Sequence, residues 1–343
     1  MARVIASLRS RLALAVIRKQ LPKLIAADPV GQLPDGLHVA VVGSGSPLPD
    51  PKRGNPCAAV IAGGRVYIVD AGERSAETLN RMRIAPNRIE AVLLTHFHSD
   101  HIGGLASLNL QRWVADAATT PMRVIGPPGV ERVVGGLNEA YALDRGYRTA
   151  HHGPDMAPPA SGAMVAEPFA LPDGEERMVV LEEEGLVVTA FVVEHPPIEP
   201  AVGFRFDYHG RSAVISGDTI YTPALVRAAA GADLLIHDAL SPELLKLVED
   251  AAREAGQAVR GQILADVPDY HATAPDAANA AREAGVGALA ITHIVPPLPL
   301  KGLEAVFLAD AHERFTGPLW LARDGDLYRL AAGGNAVERG TMP

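Results

Sequence analysis

The chain has 343 residues, 48% of them hydrophobic, which is enough core material for one large α/β domain or two small ones. Its formal charge of −9 argues against a protein that holds nucleic acid mainly by neutralising phosphates. The single cysteine, Cys57, excludes an internal disulfide framework and reads as a small buried residue beside an apolar run, in keeping with a soluble protein of the reducing cytoplasm.

Taken in chain order, the first 27 residues depart from this balance. Arg3, Arg9, Arg11, Arg18, Lys19 and Lys23 give +6 with no acidic residue, which leaves −15 for the remainder of the −9 total. The apolar run Leu12 to Ile17 is too short to span a bilayer, and Arg18-Lys19 closes it at once. Ile5, Leu8, Leu12 and Val16 recur at helical spacing, predicting a basic amphipathic helix whose role is docking on the body, contact with a membrane surface or partner, or targeting.

From His38 onward strands and helices alternate. His38 to Val42 is strand-like, and Ala58 to Ala62 and Val66 to Val69 form a hairpin about Gly63-Gly64. Glu90 to Leu94 is a buried strand, Leu105 to Trp113 helix-like, Val124-Ile125 a strand and Val130 to Tyr141 a helix. The stretch from Tyr147 to Gly174, rich in Pro, Gly and Ala and carrying His151-His152, reads as a long surface loop. Leu186 to Val193 leads to His195, and Gly203 to Tyr208 pairs with Ser212 to Ser216 around His209-Gly210. Asp233 to Ile236 and Ala288 to Ile291 are buried strands. Helices at Pro223 to Ala230, Pro242 to Ala255 and Pro275 to Ala284 separate them. The expected organisation is a basic extension over 1–29, one α/β domain over 30–331 with two packed sheets, helices outside and a site where the halves meet, and a flexible tail over 332–343.

The chemistry concentrates in Thr95-His96-Phe97-His98-Ser99-Asp100-His101-Ile102-Gly103-Gly104. Residues two apart share a side of an extended segment, so His96 and His98 can converge on one metal ion while Asp100 and His101, past the bend, face a second. Further donors stand at the ends of apolar runs: His195, Asp218 in Ser-Gly-Asp-Thr, and His293 in Ile-Thr-His-Ile-Val. Together they complete two sites, His96, His98 and His195 for one ion and Asp100, His101 and His293 for the other, with Asp218 bridging. Nitrogen and oxygen donors without thiolate favour two Zn2+, with Mn2+ or Fe as alternatives.

The order T-H-F-H-S-D-H-I-G-G, a single His, G-D-T and T-H resembles the metallo-β-lactamase superfamily over roughly residues 38 to 330. Gly43-Ser44-Gly45-Ser46-Pro47, Val69-Asp70-Ala71-Gly72-Glu73, Ala201 to Phe206 after His195, and His271-Ala272-Thr273 ahead of Thr292-His293 are similar, in order, to the ribonuclease Z group. The resemblance implies a four-layer αβ/βα sandwich. Two features depart from it. Only nine residues, Asp207 to Ile215, lie where the short form of that group carries a long tRNA-binding arm, and His237-Asp238-Ala239-Leu240 stands for His-Glu-Ala-Thr. These tell against precise tRNA processing while leaving phosphodiester chemistry open.

Two ions about 3.5 to 4 Å apart lower the pKa of a shared water toward about 7 and polarise the substrate oxygen. Asp100 is expected both to ligate and to orient that water, and His271 to protonate the leaving oxygen, with Asp238 fixing its tautomer. Asp70 is read as a carboxylate that fixes the loop. Trp113 and Trp320 belong to packing, and His38, His209 and His312 have no spacing that implicates them. The expected activity is therefore dizinc hydrolysis of a small phosphodiester or related sulfate ester. A β-lactam or lactone hydrolase is the alternative enzyme, and a scaffold bound to a membrane or partner the alternative class. A peripheral membrane contact through residues 1–27 and a homodimer are the associations considered, with structured tRNA a poor partner.

Overall fold

β1 (Gly36–Gly43) is buried at every position, a pattern a strand sustains only when both faces of its sheet are covered. Leu37, Val39 and Val41 enter one apolar cluster, and Ala40 and Val42 enter another, the period-two alternation of a strand between two layers. The protein's structure, a computed structural model, describes residues 2–115 and 118–342, with side chains from Arg9 onward.

The remaining strands are β2 (Cys57–Ala62), β3 (Arg65–Val69), β4 (Ile89–Leu93), β5 (Met122–Gly126), β6 (Met164–Pro168), β7 (Arg177–Glu183), β8 (Leu186–Val192), β9 (Val202–Tyr208), β10 (Arg211–Ile215), β11 (Leu234–Leu240), β12 (Ala288–Val295), β13 (Leu319–Leu321), β14 (Asp326–Ala331) and β15 (Glu338–Thr341). The helices are α1 (Ala2–Ile25), α2 (Ser75–Arg81), α3 (Ser99–Ile102), α4 (Leu105–Ala115), α5 (Val130–Ala140), α6 (Ala142–His152), α7 (Pro223–Ala228), α8 (Pro242–Glu254), α9 (Ala258–Asp266), α10 (Ala274–Ala284), α11 (Leu303–Leu308) and α12 (Ala311–Arg314).

Eight strands form one sheet in the order β15-β14-β1-β2-β3-β4-β5-β6, and seven form the other in the order β13-β12-β11-β10-β9-β8-β7. Between them lies a core in which Val39, Val60 and Leu93 meet Val188, Phe204, Phe206 and Ile236. Outside the first sheet, Leu79 of α2, Leu105 and Leu108 of α4 and Val130 of α5 cover its outer face. Leu225 of α7, Ala277 and Ala281 of α10 and Phe307 of α11 cover the second. Helix, sheet, sheet and helix are the four layers expected from the sequence.

β3 to β6 run parallel, as do β10 to β13, and β8, antiparallel to β9, runs with β10. The loops that follow β3, β4, β8 and β10 therefore open at the carboxyl edges of their sheets, where α/β folds place ligands. Both expected hairpins form. Gly63 (φ 57°) and Gly64 (φ 77°) supply the left-handed turn between β2 and β3.

Three expectations need correction. The stretch from Tyr147 to Gly174 is not one loop, since it holds the end of α6 and the edge strand β6. No residue of α6 is buried, so no apolar stripe announced it. The tail expected over 332–343 is not free over its described residues, 332–342: β15 pairs antiparallel with β14, and Arg339 bonds Asp326 at 2.7 Å. That edge strand is polar and carries no apolar alternation. In α1, Leu12 and Val16 of the expected stripe are 67% and 51% exposed, while Ile5 and Leu8 lie outside the described side chains. Residues 9–25 are all exposed, so this part of the helix is not docked on the body.

Gly104 shows how tightly the helix layer is seated. Its N–H donates to the Ala71 carbonyl at 2.8 Å, and an added Cβ would run into the Gly72 carbonyl. Gly104→Ala is expected to cost about 1–3 kcal/mol, the range for overpacking a fitted contact. It should appear as a lower urea midpoint with an unchanged m-value.

Candidate metal centre

β4 ends at Leu93, and the chain then places Thr95 and His96 fully inside the protein. His98 precedes α3, whose first turn carries Asp100 and His101, both buried. His195 follows β8, Asp218 follows β10, and His293 comes from within β12. Opposite β11 the register slips so that Asp238 faces Thr292 while Ala239 faces Ile294. His293 is the extra residue, with φ 46°. A bulge that leaves one residue unpaired re-aims its side chain, here into the space between the sheets.

These elements bring together two groups of donor atoms. His96, His98, His195 and Asp218 lie within 4.8 Å of one another, as do Asp100, His101 and His293. Asp218 Oδ2 is 3.2 Å from His101 Nε2, 3.1 Å from His293 Nε2 and 3.9 Å from His96 Nε2, so it faces both groups. Asp218, His271 and His293 form a third group at the same range.

The ring orientations are set from behind. His195 Nδ1 donates to the Tyr270 carbonyl at 2.8 Å, which leaves Nε2 to the site. His101 Nδ1 donates to Asp70 Oδ2 at 2.7 Å. Asp70 also accepts from the Thr95 N–H at 2.9 Å and the Thr95 hydroxyl at 2.8 Å, the loop-fixing place expected for it. His271 Nδ1 donates to Asp238 Oδ2 at 2.9 Å. His237 Nδ1 donates to the Asp238 carbonyl at 2.8 Å and lies 3.1 Å from Oδ1 of the same residue.

The donor set calls for cations. Burial holds His96 well below the usual histidine range, and burial also lowers His98 and His195. His98 Nδ1 faces His96 Nε2 at 3.0 Å and His195 Nε2 at 3.3 Å, and one N–H cannot serve both. Asp100 Oδ2 and both His293 nitrogens are buried without a hydrogen-bond partner, a costly state that a divalent cation relieves. Against burial, Asp218 and the neighbouring Asp100 carry His293 up to about 10, and Asp218 with Asp70 raises His101. Two carboxylates pulling protons onto buried imidazoles mark a place built for positive charge.

Sequence reasoning assigned no role to His237 or Tyr270. His237 lies in β11, which runs on past Ile236 to Leu240, and only this extension reveals it behind Asp238. Tyr270 stands with its ring 5.3 Å from that of His195 and 5.0 Å from that of His271, and no spacing signal marked it. Cys57 is buried, and burial pushes its thiol up to about 12, which removes it as a nucleophile. His151 and His152 sit exposed at the end of α6.

Fold and donor set together define a metal-dependent hydrolase. The sequence model of the metallo-beta-lactamase superfamily matches residues 52–257. Ribonuclease Z of Mycobacterium marinum (strain ATCC BAA-535 / M) is 35% identical over 296 residues, covering 86% of this chain and 98% of the relative. Ribonuclease Z of Mycolicibacterium gilvum (strain PYR-GCK) is 36% identical, covering 86% and 96%. Among solved structures, human tRNase Z, short form, superposes with a TM-score of 0.61 at 22% identity, covering 86% of this chain and 99% of that one. A metallo-beta-lactamase fold protein from Bacillus subtilis gives 0.60 at 17% identity, covering 85% and 99%. The chain belongs to the metallo-beta-lactamase superfamily and, within it, to the ribonuclease Z family.

Asp70→Asn keeps the shape of the side chain but removes the charge that His101 Nδ1 donates to. Changes of this kind behind a ligating histidine weaken metal binding about 10- to 100-fold. Competition of the variant against a fluorescent chelator should show that loss, with far-UV circular dichroism unchanged.

Proposed function

We propose that the chain hydrolyses phosphodiesters with two zinc ions, His96, His98 and His195 holding one, Asp100, His101 and His293 the other, and Asp218 shared. The observation that carries this reading is the position of Asp218 between the two donor groups. Bound there, the metals would supply a Lewis acid and an activated water at neutral pH. Nitrogen and oxygen donors without thiolate support zinc.

The protein's own groups then divide the remaining work. Asp100, with one oxygen uncommitted, orients the attacking water as well as ligating. His271 delivers a proton to the leaving oxygen. Its Nδ1 is occupied by Asp238, so Nε2 carries the exchangeable position, and its ring stacks 4.9 Å from that of His293. Asp238 holds that tautomer, and His237 behind it helps keep the carboxylate ionised.

The substrate we infer is a small diester. A cleft of about 490 Å3 adjoins the centre, lined by Asp100, Ser46, Asn55, Arg53 and Arg74, within the range of small-molecule sites. β9 and β10 close through His209-Gly210 alone, so no arm projects there. The name of the curated relatives favours structured RNA as a second reading. Both readings can be separated by comparing bis-p-nitrophenyl phosphate with a precursor tRNA carrying a 3′ trailer. Faster turnover of the small diester is expected, and specific cleavage at the tRNA 3′ end at an equal or higher rate would establish the RNA reading instead.

Elemental analysis after zinc-supplemented purification should give two metals per chain, and Asp218→Ala should abolish turnover. His271→Ala should retain both metals yet slow substrates with poor leaving groups by about 10² to 10⁴. A p-nitrophenyl leaving group should be affected far less, whereas equal losses would assign His271 to binding.

A further inference from the structure

We propose that α1 is an interfacial anchor that binds the enzyme to an anionic phospholipid surface. At 3.6 residues per turn, Leu14, Ile17, Leu21, Leu24 and Ile25 fall within an arc of roughly 100°. They are 54%, 52%, 46%, 40% and 76% exposed. Arg9, Arg11, Arg18, Lys19 and Lys23 occupy the opposite half of the helix, all exposed. This is a different stripe from the one through Leu12 and Val16, which shares its side with the two lysines.

The charge pattern selects the occupant. No acidic residue lies among the first 27 while the remainder of the chain carries −15, the total of −9 less the +6 of this segment. A −15 body repels an anionic membrane, so attraction must come from the helix. Within it, Arg11 and Arg18 border one edge of the apolar arc and Arg9 lies toward the other, where their long stems let the guanidinium groups reach headgroups while the leucines enter the acyl boundary. Among the described residues no helix is long and apolar enough to cross a membrane, so the helix would lie on the surface. The face is exposed rather than packed on the acidic body to which it is tethered, which leaves it available to an anionic surface.

The test uses the full chain with vesicles of phosphatidylcholine, alone or with a third phosphatidylglycerol, read by co-sedimentation at low and high salt. Binding to the anionic vesicles only, weakened by salt, is expected. Each cation removed should weaken it about fivefold, so Arg18→Glu with Lys19→Glu should lower partitioning about 20-fold or more. Ile17→Glu with Leu21→Glu should abolish it, and both variants should hydrolyse a soluble diester as the parent does. Equal binding to neutral vesicles, or no binding to either, would overturn the proposal. So would concentration-dependent dimerisation in light scattering that Ile17→Glu with Leu21→Glu removes without vesicles, which would make the occupant a second copy of the chain.

Discussion

The carboxylate of Asp70 is the contact on which the arrangement of the site depends. It stands just beyond β3 and accepts three hydrogen bonds, from the Thr95 N–H and hydroxyl and from His101 Nδ1. One buried group thereby ties the end of β3 to the loop after β4 and to the first turn of α3. Because the His101 proton is committed to Asp70, its Nε2 must face Asp218. The first sheet's donors are thus oriented toward Asp218 of the second sheet by hydrogen bonds within the protein, and the cost of ordering them is met by the fold.

The two sheets contribute unequal parts. The first delivers four donors in six residues, because a strand, a bend and one helical turn can present them in succession. The second delivers His195 and Asp218 from beyond two strand ends and His293 from within β12, and each needs its own device. For His195 it is the Tyr270 carbonyl, and for Asp218 a left-handed Gly217 whose added Cβ would meet the Val202 carbonyl at 2.9 Å. For His293 it is the bulge in β12. The donor groups come together only where the two sheets meet, so the packing of Phe204, Phe206 and Leu93 between the sheets sets the geometry of the candidate centre.

The layers, the hairpins and the convergence of the donor residues were legible in the sequence because each rests on a strong local signal: continuous apolar runs, Gly-Gly or His-Gly turns, and histidines beside glycines. What escaped reading lacks such a signal. α6 buries no residue, β15 is polar along its length, and the apolar face of α1 is staggered against a competing stripe. The bulge at His293 was hidden for another reason. It is a property of how β12 pairs with β11, and no residue within Ile291 to Val295 announces it.

The shorter acid of the His237-Asp238 segment, which the sequence marked as a departure, is reconciled by the same pairing. β11 continues through Asp238 and brings its carboxylate under the loop before α10, where the Leu240 N–H donates to the Ala272 carbonyl at 2.8 Å and Leu240 bridges to Thr273. Thr273 caps α10 in a reciprocal box with Asp276, so the residue two places before it is held at a fixed height over the strand. His271 therefore reaches Asp238 at 2.9 Å without the extra methylene of a glutamate.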